Sequence, residues 1–204
     1  HIIDLNKTVA MIEDAARAMK QIAKSGKKIL FVATKKQAKD FIAETAESLN
    51  MPYITERWPG GLLTNFATIR KSIKKMQTID KMKEDGTFDT LSKRERLQID
   101  RQRAKLELNL GSIVKMTRMP EAIFVIDINK ESISIAEANH LGIRTFAMTD
   151  TNTNPKLIDF PIPSNDDAKK SIECIVSIVK KAIAEGLEER GAEQDAKDLE
   201  KKEK

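Results

Sequence analysis

The stretch KKILFVATKKQAKDFIAETAESLN, residues 27–50, sets the architecture. Its opening KKILFVA is a short apolar run rich in β-forming side chains, the pattern of a strand covered on both faces. After the polar TKKQ, Ala38, Ile42, Ala46 and Leu49 recur at spacings of three and four, which predicts a helix. Thr34 is the expected N-cap, with Gln37 returning to the cap backbone, and Asn50 is the expected stop. A buried strand feeding straight into a helix is half of a βαβ unit and implies parallel pairing.

The alternation extends in both directions. Upstream, Leu5, Val9, Ile12, Ala16, Met19 and Ile22 place one apolar stripe on a helix ending near Gly26. Downstream, residues 51–55 form a second short strand, EAIFVID (121–127) a buried one, and ESISIAEANHLG (131–142) a helix closed by Gly142. IRTFAMTD (143–150) is a further strand, FPIP (160–163) an extended piece, and 166–186 a helix with Ile172, Ile175, Val176, Val179 and Ile183 inward. This order predicts an α/β fold with a parallel, doubly wound sheet of the Rossmann-like or flavodoxin-like kind.

Residues 66–119 break the alternation. Ile69, Ile73, Met76, Ile79 and Met82 fall three or four apart, Gly86 marks a turn, and Ser92 with Glu95 forms a capping box. Ile99, Leu106, Leu110 and Ile113 then recur with heptad-like spacing, Arg103 standing where another apolar residue is expected. Two narrow stripes joined by a polar turn predict an inserted antiparallel coiled-coil hairpin. The α/β body therefore comprises 1–65 and 120–186, and 187–204, nearly without apolar side chains, is expected to be a disordered charged tail.

Composition narrows the function classes. The 204 residues include one cysteine, Cys174, which rules out an internal disulfide or a thiolate zinc site and suits a reducing cytoplasm; its apolar helical setting suggests a buried thiol. No run approaches the ~18 apolar residues of a membrane span. The chain opens on His1 rather than Met, so a preceding lead-in is expected. The net charge of +5 is unevenly spread: residues 66–119 carry 14 basic and 7 acidic side chains, a net +7, whereas 185–204 carry 5 and 8, a net −3.

In a doubly wound fold, ligands bind at the strand carboxyl ends, here TKKQ, RWPGG, DINKE and DTNTN. Lys35 and Lys36 sit where a helix N-terminus could hold a phosphate. Neither G-x-G-x-x-G nor a P-loop occurs, so no nucleotide cofactor is implied. Asp150, Asp166 and Asp167 could converge on a hard cation, although Asx turns and helix starts explain these residues as well. His140 near a helix end and Cys174 outside any basic cluster suggest no nucleophile or base. The basic signal is stronger. Arg70, Lys71, Lys74, Lys75, Lys93, Arg94, Arg96, Arg101, Arg103 and Lys105 line a rod suited to tracking phosphates. Arg57 and Trp58 lie beside it, and Trp58 either stacks on an unpaired base or plugs the base of the arm.

HIIDLNKT at the start, FVATKKQA (31–38), RWPGGLLTN (57–65), the polar helical insert, FVIDINKESISIAEA (124–138) and TDTNTNPKLIDFPIPSNDDA (149–168) resemble, in order and spacing, the bacterial small-subunit ribosomal protein S-two family. Pro59 and Ala33 depart from its more usual leucine and glycine. The resemblance implies an α/β body with a coiled-coil hairpin, no cofactor and no catalysis. It further implies a structural place in the small ribosomal subunit, contact with small-subunit ribosomal RNA and other small-subunit proteins, and help in holding ribosomal protein S-one. Carried onto this sequence, RNA contact falls on Lys35, Lys36, Arg57, Trp58 and the hairpin cations. The alternative from the residues alone is a metal- or nucleotide-dependent phosphotransfer enzyme using Asp127 and Asp150 with Lys35.

Overall fold

The computed structural model describes residues 2–202. Helix α1 (Leu5–Lys24) leads to strand β1 (Ile29–Val32), α2 (Lys39–Ser48) and the two-residue β2 (Tyr53–Ile54). Helices α3 (Phe66–Glu84) and α4 (Lys93–Leu110) follow. Then come β3 (Ala122–Ile126), α5 (Ser132–His140), β4 (Arg144–Thr149), β5 (Phe160–Pro163) and α6 (Lys169–Lys202). The five strands form one wholly parallel sheet in the order β2-β1-β3-β4-β5. This is the flavodoxin-like order, whose switch point lies between β1 and β3.

Strand alternation sorts the core into two layers. Ile29, Phe31, Phe124, Ile126, Phe146 and Met148 face α1, α2 and α6, while Leu30, Val32, Ile123, Val125 and Ala147 face α5 and the roots of α3 and α4. β5 carries Pro161 and Pro163, which a central strand could not accept, and it lies at the sheet edge. There the Thr8 hydroxyl of α1 donates to the Pro163 carbonyl at 2.5 Å.

α3 and α4 run antiparallel, as the pairings Lys83–Asp100 (2.5 Å) and Arg103–Asp80 (2.7 Å) require. Gly86, at φ +78°, turns the chain between them, and Ser92 and Glu95 form the expected capping box at the start of α4. Packing on this seam is thin: Ile73, Met76 and Ile79 of α3 are buried, but of α4 only Leu110.

Several expectations are corrected. α2 begins at Lys39, not near Thr34, because the Thr34 hydroxyl donates to Glu131 across the sheet instead of capping its own helix. On α1 the buried face is Thr8, Ile12, Ala15, Met19, Ile22 and Ala23, leaving Leu5 and Val9 exposed. Cys174 is exposed, since α6 turns Ile172, Ile175, Val176 and Val179 inward around it.

The segment expected to be a disordered tail continues α6 through Lys202; residues 203–204 lie outside the described residues. Leu187 packs against the core, and the acidic side chains of this helix add ion pairs to α1. Lys20 pairs with Glu185 and Glu189, and Lys24 with Glu189 and Glu193, at 2.8–3.2 Å. Gly186 makes this close crossing possible, because a Cβ there would overlap the Lys20 carbonyl oxygen.

Candidate nucleic-acid interface

Lys35 occupies the switch point between β1 and β3. Its Nζ donates to Asp166 Oδ1 at 2.6 Å and to Asp167 Oδ1 at 2.7 Å, and lies 3.0 Å from Asp127 Oδ2. Burial works to lower the Lys35 pKa, but the hydrogen bonds to Asp166, Asp167 and Asp127 outweigh it, and the net shift is upward. The lysine is thus a largely buried cation held by three carboxylates. Lys36 points the other way, exposed beside Asp40, Glu44 and Lys169. The two neighbouring lysines share no site.

Carboxylate oxygens of Asp150, Asp166 and Asp167 do lie within 4.8 Å of one another. Their charge is already answered by the Lys35 ammonium on two of the three. Asp150 also works locally, accepting from the Thr151 amide at 2.6 Å. The residues of the phosphotransfer alternative are therefore engaged within the fold: Asp127 and Lys35 form an ion pair, and Asp150 holds a turn.

Of the two sequence readings of Trp58, its burial favours the plug. Trp58 is buried, and its Nε1 donates to Glu137 Oε1 at 3.0 Å. The same carboxylate accepts from the Gly61 amide (2.7 Å) on Oε1, and on Oε2 from the Leu63 amide (2.9 Å), the Thr64 amide (3.1 Å) and the Thr64 hydroxyl (3.2 Å). Burial raises the Glu137 pKa, but these donors overcome it and hold the carboxyl below its ordinary value. Trp58 sits buried at the base of the arm with its Nε1 engaged, one edge of it reaching the wall of a neighbouring cleft. Arg57, next to it, is exposed.

The arm's cations divide by partner. Arg103 is bound to Asp80 and Glu107, and Arg96 to Asp89. Arg70 donates to the Val114 and Met116 carbonyls at 3.3 Å each, pinning the two roots together. Among the described residues, Lys71, Lys74, Lys75, Lys93, Arg94, Arg101 and Lys105 are exposed and have no carboxylate partner. Lys71, Lys74 and Lys75 fall on the face of α3 turned away from α4, and Arg94, Arg101 and Lys105 on the corresponding face of α4.

Sequence reasoning missed Glu137 and Lys130. Glu137 has a readable signal, an acid beside the inward Ile135 and Ala138 of a short helix. Lys130, exposed, donates to the Thr34 carbonyl at 3.0 Å from the loop after β3.

Fold and site together define a class: a doubly wound α/β protein whose switch-point crevice is filled by its own lysine, and whose helical arm turns unpaired cations outward. Such a molecule presents a surface, not a reaction centre. The chain belongs to the ribosomal protein S2 family, whose profile matches residues 1–186. It is 66% identical over 194 residues to "Small ribosomal subunit protein uS2" of Phocaeicola vulgatus, an alignment covering 95% of this chain and 70% of that protein. The protein of the same description from Flavobacterium johnsoniae is 65% identical over 195 residues, covering 96% and 77%, and that from Porphyromonas gingivalis 66% over 194, covering 95% and 69%.

Proposed function

We propose that this chain is a structural constituent of the bacterial small ribosomal subunit, working in the cytoplasm through contacts with small-subunit ribosomal RNA and neighbouring ribosomal proteins. Family membership over residues 1–186 and relatives described as small-subunit proteins support the assignment to the subunit. One structural observation carries the RNA reading: the seam-facing cations of the arm are neutralised in place, while those on its outer faces have no acidic partner. Charge left unpaired on two outward helix faces is suited to phosphates.

Residues 66–119 act as an inserted, supercoiled rod on a body formed by 1–65 and 120–186. Lys71, Lys74, Lys75, Lys93, Arg94, Arg101 and Lys105, together with Arg57, are its RNA-facing set. Lys36 is a separate contact on the far face of the sheet, and Lys35, Trp58, Arg70, Arg96 and Arg103 shape the surface from within. The sequence resemblance supports ribosomal protein S-one as one of the protein neighbours.

The test is a salt titration of binding to small subunits lacking this protein. Affinity should fall with salt, the logarithmic slope growing by about 0.7–0.9 per phosphate contacted. Charge reversal at Lys74, Lys75 and Arg94 should weaken binding and flatten that slope. Binding indifferent to salt would refute the phosphate mechanism.

A further inference from the structure

Between the arm and the carboxyl edge of the sheet lies a cleft of about 900 Å3, walled by residues 57–60, the last turns of α4 and the first turn of α5. Its volume is within the range of small-ligand sites, about 300–1,000 Å3. The floor is apolar, built from Pro59, Ile69, Leu106 and Ile133. Ile133 is 59% exposed although its neighbours Ser134 and Ile135 are buried, so a large apolar side chain is presented to an open cavity.

The rim is cationic. Arg57, Lys105 and Lys130 are exposed and have no carboxylate partner among the described residues. The cleft's two carboxylates are both occupied. Glu56 is held by Lys39 at 2.9 Å. Glu131 is buried, accepting from the Thr34 amide at 3.2 Å and from the Thr34 hydroxyl, and burial pushes its carboxyl upward. Free positive charge therefore surrounds an apolar floor.

That combination suits a group with an apolar face and an attached anion, which describes an unstacked nucleotide. The cations also continue beyond the cleft. Lys105, Arg101 and Arg94 descend the outer face of α4 over about 16 Å, a path for the flanking phosphates. An acidic peptide would satisfy the rim, but its backbone would find few partners on the cleft's mainly apolar floor. The exposed amide of Gln102, at the wall, can meet a base edge.

We infer that this cleft receives one unpaired nucleotide of the ribosomal RNA, its base against Ile133 and Leu106 and its phosphates held by Arg57, Lys105 and Lys130. The inference rests on the RNA reading above and adds a base-contacting site to it.

The experiment rebinds the full chain, as wild type, Ile133→Glu or Lys105→Glu, to small subunits lacking this protein. Dimethyl sulfate and a carbodiimide then probe the bases, and hydroxyl radicals the backbone. Wild type should protect one unpaired base about tenfold. Ile133→Glu should restore that base's reactivity and weaken rebinding about tenfold, or ~1.4 kcal/mol, while backbone protection along the arm persists. Lys105→Glu, outside the packed core, should act in the same direction and stands in if the first variant misfolds. Identical base patterns for wild type and both variants, with backbone protection intact, would overturn the cleft site and leave the RNA reading standing. A photoreactive group on Ile133→Cys in a Cys174→Ser background should join RNA; joining to a ribosomal protein instead would also overturn the site. Failure of wild type to rebind at all would remove both readings.

Discussion

Replacing Glu137 by glutamine tests the buried carboxylate that organises the start of the arm. Glutamate accepts five hydrogen bonds there, two on Oε1 and three on Oε2. Glutamine keeps one oxygen. With that oxygen turned to Leu63 and Thr64, its amide NH2 confronts two donors, Trp58 Nε1 and the Gly61 amide. A hydrogen bond to a charged group contributes roughly 1.5–3 kcal/mol, so two lost bonds cost about 3–6 kcal/mol, or roughly 10–15 °C in melting temperature for a chain of this size. Because the folded carboxyl titrates below its ordinary 4.5, its contribution is complete above that value and is lost as pH falls through the lower folded value. The gap between wild type and Glu137→Gln should therefore be full at pH 7 and narrow below pH 4.5. Denaturant unfolding at both ends of this range measures it. Trp58, the only tryptophan, reports on the loop directly, and its emission should shift to the red in the variant. A variant within 1 kcal/mol of wild type, with unchanged emission, would refute the view that this carboxylate holds the loop.

Lys35→Met should destabilise the fold by about 3 kcal/mol, because it strands buried Asp166 beside Asp127 and Asp167. The raised Lys35 pKa means that its contribution is complete below its ordinary 10.5 and fades only as pH rises further, so thermal melts at pH 7 should show the whole deficit. Gly186→Ala gains roughly 1 kcal/mol of helix propensity but drives a methyl into the Lys20 carbonyl, and overpacking of this kind costs about 1–3 kcal/mol, so the melting temperature should fall. Gly191→Ala on the same helix meets open space and should raise it by a few degrees; equal signs for the two glycines would count against the close crossing.

The parts legible in the sequence are those fixed by neighbours along the chain. Apolar runs gave β1, β3 and β4. Asn50 and Gly142 adopt positive φ beyond their helices, as expected of stop residues, and Ser92–Glu95 closes its capping box. What stayed hidden depends on residues far away. Thr34 looks like a cap until Glu131 arrives from the far side of the sheet, and Lys35 looks like a phosphate ligand until Asp166 and Asp167 close on it. The charged segment after Gly186 reads as a tail because its partners, Lys20 and Lys24, belong to the first helix. For the candidate site, the identity of the basic segment was legible. Which of its cations are spent internally was not, since that depends on how α3 and α4 face each other.

The Glu137 contacts end at Thr64, two residues before α3 begins, and α3 extends for 19 residues, about 28 Å. The helix is a lever whose fulcrum is one carboxylate. A tilt of about 5° at that pivot would swing the far end by roughly 2.5 Å, enough to break a hydrogen bond. Aim at the tip is therefore decided at the root, and a buried side chain sets how accurately distant lysines are pointed.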